Sequence, residues 1–441
     1  MTILNTKNLR PRAVLATLKK QLNKDNILVI VGSRQVGKTS LLALLYEGIS
    51  QKIKIYFDLE DIQLLSDFNN LGPNDFPRYL EEKTGSSLRN KKIFVFIDEI
   101  QYLDNPSSLL KYVFDHFKNI KIIVSGSSSL EIKKKFSDRL TGRKYLHTLQ
   151  PLSFAEFLSF KGKDFKIRDD IGLKKFLATT QKITQAQQKA VSWSRKEIKE
   201  LFQEFVLFGG YPKAALTQNR EEKINILKEI YGTYVRKDIK DLAEIENTKT
   251  YNDLIEIVAS QSAGLLNVDE LSNTLNANRK TLDKYLFLLE NTFIIGLLRP
   301  FYTNKRKEIT KMPKLFLEDT GLRNMLLKNF TALKTRPDKG ALIENFVYSE
   351  LKKNLAPLED LYFWRTQTQA EVDFVIKGER RQLIPVEVKY KKMKSAQIPS
   401  GLQSFIASYD VRKAFVITDD LLDQMNIGKK TVVYFLPAFL I

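Results

Sequence analysis

The sequence predicts an α/β chain. It begins with a parallel sheet core covered by helices on both faces, followed by a helical segment and a helix-turn-helix with a β-wing. A C-terminal α+β domain completes it. Three observations carry this prediction. Residues 1–150 alternate amphipathic stretches with short, doubly apolar runs: ILVIV (27–31), KIYF (54–57), KIFVFI (92–97), KIIVSG (121–126) and YLHTL (145–149). Such runs are the mark of strands buried on both faces by crossover helices. From 151 to about 245 the apolar period turns helical, with a polar Gln/Lys-rich stretch at 161–198 read as a loosely ordered insertion. From about 312 the α+β pattern returns and ends in the apolar strand VVYFLPAFLI. The expected divisions are therefore 1–150, 151–245, 246–311 and 312–441.

Composition narrows the chemistry. Apolar residues make up 43% of the 441, ample for packed cores. There is no cysteine, and the only histidines are His116 and His147. A thiolate zinc site, a redox pair and a Cys/His nucleophile are thereby excluded. Any metal has to be a hard cation on oxygen ligands, magnesium or manganese. Formal net charge is +20, from 71 basic against 51 acidic residues. Such an excess favours polyanions, nucleic acid first and an anionic membrane surface second, although a Lys-rich surface accounts for it equally well. No apolar run reaches bilayer length and the N-terminus MTILNTKNLRPR lacks the apolar stretch of a secretory signal, so a cytoplasmic location is expected.

The strongest chemical signal is GSRQVGKTS, which follows the first apolar run and precedes the helical run LLALLYEGI. Gly32 and Gly37 allow the backbone to curl, so that the amides of Ser33, Arg34, Gln35, Val36, Lys38 and Ser40 face phosphates at a helix N-terminus. Lys38 reaches the β- and γ-phosphates and the Thr39 hydroxyl joins a magnesium shell. The strand KIFVFIDE ends in Asp98, placed to bind that magnesium, and Glu99, placed to polarise the attacking water. Ser125, at the tip of the next strand, either helps to orient the water or belongs to a Ser-rich turn. Arg139 and Arg143, in RLTGR, are candidates for γ-phosphate charge, in the same subunit or in a neighbour within a homo-oligomer. The expected cofactors are ATP and Mg2+.

In this order NLRPR, GSRQVGKTSLL, FIDEIQ, SGSSSL, LTGRKYLHTLQPLSFAEFL and FGGYPKAAL resemble an uncharacterised prokaryotic family of P-loop, AAA-type ATPases. That family is related to the archaeal ATPases and more distantly to initiator-type and signalling ATPases. The remainder is similar to the domain of unknown function that accompanies this ATPase. The resemblance implies that Arg10–Pro11 and the turn Gly209-Gly210-Tyr211-Pro212 flank the adenine. The expected mechanism is a switch, in which ATP closes the core against Gly210–Pro212 and its helical lid and hydrolysis releases it. The stretch 161–198 is longer and more polar than the family's pattern.

Residues 250–310 read as three helices and a wing. Tyr251–Ser262 is amphipathic, and Val268–Leu275 and Arg279–Asn291 are joined by Asn276–Asn278. Asn278, Arg279, Lys280, Asp283 and Lys284 face solvent, and Lys305, Arg306 and Lys307 sit in the wing. Two readings stand: contact with DNA, or a packing module against the nucleotide site. In the C-terminal part, alternation along AEVDFVI (370–376) and LIPVEVKYK (383–391) puts Glu371, Asp373, Glu387 and Lys389 on one face. A turn centred near Arg380 sets Asp373 opposite Glu387. This set resembles the restriction-endonuclease-like PD-(D/E)xK nucleases. The resemblance implies one magnesium on Asp373, Glu387 and the Val388 carbonyl, Lys389 activating water, and Glu344 as an added helical acid. An exposed sheet face lined with charge pairs is the other account of the same residues. The combined expectation is an ATPase coupled to DNA binding or cleavage. The alternative is a signalling or scaffold ATPase whose last domain only binds a partner.

Overall fold

In a computed structural model of the chain, the described residues are 9–50, 53–88, 91–127, 140–163, 170–234, 247–379 and 382–441. They divide into two compact units. The first comprises 1–150, 232–244 and 291–293, and the second comprises 151–231, 245–290 and 294–441.

The first unit is built on β1 (Ile27–Val31), β2 (Lys54–Asp58), β3 (Ile93–Asp98), β4 (Ile120–Gly126) and β5 (Lys144–Thr148). Every pairing is parallel and the order is β2-β3-β4-β1-β5. All residues of β1, β3 and β4 are buried, Lys121 and Ser125 of β4 included, as central parallel strands covered on both faces require. Helices Lys38–Glu47, Ile62–Asn70, Phe76–Thr84 and Pro106–His116 connect the strands. Because the strands are parallel, the carboxyl ends of β1, β3 and β4 share one edge, where open α/β sheets bind ligands. Gly32, Asp98 and Ser125 all lie at that edge.

The second unit contains β6 (Ile295–Leu298) paired antiparallel with β7 (Lys314–Leu317). It also holds a mixed sheet of β8 (Asp360–Arg365), β9 (Glu371–Lys377), β10 (Leu383–Lys389), β11 (Lys413–Thr418), β12 (Asp423–Ile427) and β13 (Thr431–Pro437). The order there is β12-β13-β11-β10-β9-β8. The division expected at 311/312 runs through the β6–β7 pair. One buried core joins Phe154, Phe157, Phe202 and Phe205 to Phe346, Phe374, Phe415 and Tyr434. Residues 151–231 and 312–441 are therefore parts of one folded body.

In the polar stretch Leu173–Ala178 is helical, and the helix Gln185–Phe208 begins there and runs past its end. The second of these helices opens with a capping box, Thr184 and Gln187 satisfying each other's backbone amides. The three helices Thr248–Ser260, Val268–Leu275 and Arg279–Asn291 match the expected set. Residues 305–307, expected in a β-wing, instead begin the helix Lys305–Thr310. The Asn304 side chain caps it by accepting from the amides of Arg306 and Lys307.

The turn Gly209-Gly210-Tyr211-Pro212 is fastened by Asp319, whose carboxylate accepts from the Gly210 and Leu322 amides. Gly209 has φ +75°, and a Cβ there would strike the Asp319 carboxylate. Burial pushes the Asp319 carboxyl up, against the pull of those amides.

Nearby, Arg323 is 1% exposed and donates to Asp338 at 2.9 Å, while Arg336 donates to both oxygens of Asp338 at 2.7 and 2.9 Å. An Asp338→Ala chain leaves a buried guanidinium without its carboxylate, a loss of about 3–5 kcal/mol. Urea denaturation checks this, and an unchanged midpoint would contradict it. The Arg336 bonds, opposed by burial and aided by Arg323, hold Asp338 down at about 2 from the usual 3.8. Its native pKa is depressed, so its contribution is complete above pH 3.8 and disappears as the pH falls toward 2. The stability gap between wild type and Asp338→Asn should close over that same range.

Candidate functional site

The backbone of Gly32–Lys38 turns tightly against the sheet. A Cβ on Gly32 would collide with the Leu149 carbonyl, because Leu149 itself bonds Val31 as β5 ends. Gly37 (φ +95°) and Gln35 (φ +60°) both take left-handed backbone, which glycine adopts freely and glutamine at some cost. The curl is held by Arg12, 8% exposed, which donates to the Val36 carbonyl at 3.0 Å and the Gln150 carbonyl at 2.8 Å. Arg10, the residue expected at the adenine, is exposed. Tyr211 is buried within the second unit, where it precedes the short helix opened by Pro212.

Lys38 begins the helix Lys38–Glu47 and is 5% exposed. Its ammonium donates to the carbonyls of Gly32 and Ser33, both at 3.1 Å, and stands 3.9 Å from Glu99 Oε1. Ser40 and Thr39 lie in the first turn, and the Thr39 hydroxyl donates to Asp98 Oδ2 at 2.7 Å. Asp98, 1% exposed, also accepts from Tyr56 at 2.8 Å, from the Ser125 hydroxyl and from the Glu99 amide at 3.1 Å. Burial and the adjoining Asp98 charge keep the Tyr56 phenol protonated by raising its pKa. Ser125 is thus placed as a support of Asp98, with no exposure of its own.

Glu99 sits in left-handed backbone (φ +51°), which turns its side chain away from the strand direction. Burial pushes its carboxyl up. Lys38, the Gln101 amide, Arg34 and Ser127 together outweigh burial and hold it below the usual range. Gln101 donates to Glu99 and, at 3.0 Å, to Ser127, whose amide returns a bond to Gln101 at 3.3 Å. An ionised Glu99 beside the phosphate-binding turn is fit to accept a proton from water. The hard oxygen donors Thr39 and Asp98 suit magnesium.

The structure does not bring Arg143 to this edge. Its carbonyl accepts from the Ile27 amide at 2.8 Å, at the amino end of β1. Its guanidinium pairs with Asp115 at 2.8 and 3.2 Å. At about 3.3 Å per residue, the length of β1 separates it from Gly32 by roughly 17 Å. Arg139 lies outside the described residues.

In the C-terminal sheet, β9 and β10 pair as Lys377–Leu383, Ile376–Ile384, Val375–Pro385 and Phe374–Val386, so the next position sets Asp373 beside Glu387. Asp373 Oδ2 accepts from the Val388 amide at 2.8 Å, and Glu387 Oε2 accepts from the Asp373 amide at 3.3 Å. Lys389 pairs with Glu387 at 2.6 Å. Glu344 arrives from the helix Lys339–Asn354. Burial, then the Asp373 charge, push both Glu344 and Glu387 up. Lys314, from β7, enters this group. Its ammonium lies 2.9 Å from Glu344, 2.6 Å from Glu371 and 3.7 Å from Asp373. These residues do not fit a divalent cation as they stand, since a cationic side chain occupies the space among the oxygens. Among the described residues, no group of three or more His, Cys, Asp or Glu is placed to hold a metal ion.

Sequence reasoning misses Arg12, Tyr56, Gln101, Ser127 and Lys314. NLRPR and SGSSS contain Arg12 and Ser127 beside the residues selected. Nothing local marks Tyr56 or Lys314.

Residues 24–158 match the family described as an AAA domain. Residues 199–333 and 339–439 match two domains of unknown function, DUF8612 and DUF4143. An uncharacterized protein of Methanocaldococcus jannaschii is 28% identical over 385 residues, 86% of this chain and 78% of that one. One of Haemophilus influenzae is 25% identical over 422 residues, 93% of each. Among solved structures, a Walker-type ATPase of Pyrococcus abyssi shows a TM-score of 0.43 at 14% identity, over 74% of this chain and 96% of that one. The Aeropyrum pernix ORC2 protein in its ADP form shows 0.35 at 14%, over 67% and 90%. No helix among the described residues is long and apolar enough to cross a membrane. Residues 24–158, which include the turn at Gly32–Thr39, are thus similar to an AAA domain, and the turn is of the P-loop type.

Proposed function

We propose that the chain is an ATP-hydrolysing switch whose second unit binds nucleic acid, DNA first. The observation that carries the ATPase half is the Thr39–Asp98 contact of 2.7 Å beside a half-buried Glu99 held ionised by Lys38. When ATP is bound, Mg2+ held by Thr39 and Asp98 would neutralise charge on the β- and γ-phosphates. Lys38 exchanges its carbonyl partners for phosphate oxygens, and the amides of Ser33–Lys38 orient the chain of phosphates. Glu99 takes the proton of the attacking water as the oxygen bonds the γ-phosphorus and the bond to ADP breaks. Gln101 and Ser127 position Glu99, while Tyr56 and Ser125 position Asp98.

A Glu99→Gln chain tests this mechanism. It should retain nucleotide affinity while phosphate release slows by about 10²–10⁴. Turnover matching wild type would remove Glu99 from the mechanism.

The nucleic-acid half rests on charge and exposure. Asn278, Arg279, Lys280, Asp283 and Lys284 are exposed on or beside the helix Arg279–Asn291. Lys305, Arg306 and Lys307 are exposed at the helix between β6 and β7. Three helices followed by a strand pair form a winged-helix arrangement, in which the helix Arg279–Asn291 reads the groove. The C-terminal sheet resembles the PD-(D/E)xK fold, and its proposed part is to hold nucleic acid or a partner. Fluorescence anisotropy with duplex DNA should show an affinity that falls steeply with salt and drops in a Lys280→Glu/Lys284→Glu chain. Affinity that ignores both salt and these two residues would refute this half.

A further inference from the structure

We infer that Lys314 is the resident cation of the C-terminal carboxylate cluster, and that with it in place this domain binds no divalent metal and cleaves no phosphodiester. The inference goes beyond the ATPase and nucleic-acid reading and stands or falls independently of it.

Four carboxylates converge on one side of the β9–β10 pair: Glu344, Glu371, Asp373 and Glu387. Convergence of this kind ordinarily demands a cation, because like charges in a buried site repel and desolvate one another. The cation here is supplied by the chain. Lys314 is 3% exposed, and its ammonium reaches Glu344 at 2.9 Å, Glu371 at 2.6 Å and Asp373 at 3.7 Å. Its stem rises from β7, whose pairing with β6 and bridge to Leu265 fix where the side chain starts. The Phe363 ring lies under the ammonium at 5.6 Å. Asp373 and Glu387 are engaged further, Asp373 Oδ2 by the Val388 amide and Glu387 by Lys389 and the Asp373 amide.

A magnesium ion needs oxygens at about 2.0–2.1 Å in an octahedral shell. Seated among Glu344 and Asp373, it would stand against the Lys314 ammonium with nothing between them. Lys314 also has the advantage of being tethered, so its effective concentration at the cluster far exceeds that of a free ion. Lys389, the residue a nuclease would use on water, is instead paired with Glu387 at 2.6 Å. The cluster has the acids of a metal centre and a lysine in the metal's place.

The test is Mn2+ binding to the full chain without nucleotide, read by electron paramagnetic resonance and by the shift in melting temperature. Wild type should show no Mn2+ site that depends on Asp373 and no Mn2+-dependent rise in melting temperature that Asp373→Asn abolishes. Lys314→Met should gain one site, bound at least about tenfold tighter than anything wild type shows, with a metal-dependent rise in melting temperature. Lys314→Met/Asp373→Asn should lose that site. Lys314→Arg, which keeps a cation there, should behave as wild type. A wild-type site abolished by Asp373→Asn would overturn the inference even if Lys314→Met fails to fold. A folded Lys314→Met chain with no gain in Mn2+ binding would overturn it equally. ATP turnover and DNA affinity measured on the same samples report on the earlier reading alone.

Discussion

A Lys38→Ala chain is expected to bind ATP at least tenfold more weakly and to hydrolyse it about 10³-fold more slowly. Two effects add. The ammonium is 5% exposed and poised over the phosphate-binding turn on the Gly32 and Ser33 carbonyls. Charge-assisted hydrogen bonds to phosphate oxygens are worth about 1.5–3 kcal/mol each, and charge stabilisation at a transferring phosphoryl group costs about 10²–10³ in rate when one donor is removed. Glu99 is the second effect. Burial raises its carboxyl, and Lys38 leads the groups that bring it back down. Without Lys38 the base becomes harder to ionise, so the residual turnover should also depend more strongly on pH, rising toward alkaline values. Titration with a fluorescent ATP analogue separates the binding loss, and phosphate release from pH 5 to 9 reports the base. Unchanged affinity and turnover would remove the ATPase reading altogether.

The parts of this molecule that a sequence reader recovers are those whose determinants are local or periodic. Gly32–Thr39 is one continuous segment, and its neighbours supply the strand before and the helix after. Asp98 and Glu99 end an apolar run whose length alone makes it a buried strand. The pairing of Asp373 with Glu387 is legible because the period of a strand is two and a one-residue slip would expose every apolar side chain.

What escapes is what depends on distant pairing. Lys314 stands 57 positions before Glu371 and 30 before Glu344, and KMPKLFL reads only as the start of a strand. Arg143 belongs to a motif-like stretch near the nucleotide segments in sequence. The parallel pairing of β5 with β1 starts at Lys144 and Ile27, which places Arg143 at the other edge of the sheet. Ser125 and Ser127 are two positions apart on one strand end, and only the fold shows that one supports Asp98 and the other Gln101. The division expected at 311/312 runs through the β6–β7 pair for a different reason. A change in hydrophobic period marks a change of secondary structure, and a shared core can extend across it.

That shared core makes the second large prediction. Phe346→Ala should destabilise the second unit by about 3–5 kcal/mol, a large share of the 5–15 kcal/mol typical of a folded domain. Phe346 has no exposed surface and meets Phe202 edge-on at 5.0 Å, with Phe205 at 6.0 Å and Phe154 at 6.4 Å. Those partners lie on helices Phe154–Phe160 and Gln185–Phe208, while Phe346 lies on Lys339–Asn354, which packs against β10. A cavity at Phe346 therefore removes support from both sides at once. Hydrogen exchange should show 154–160, 198–208 and 371–389 losing protection together, as one cooperative body. If 371–389 kept wild-type protection while 154–208 opened, the C-terminal sheet would be an independent domain. The helices before it would then be a separate lid, and the division drawn from the change in period would be the physical one. Joint loss means that a signal entering the helical segment is felt at Asp373 and Glu387 through packed side chains, without any linker to absorb it.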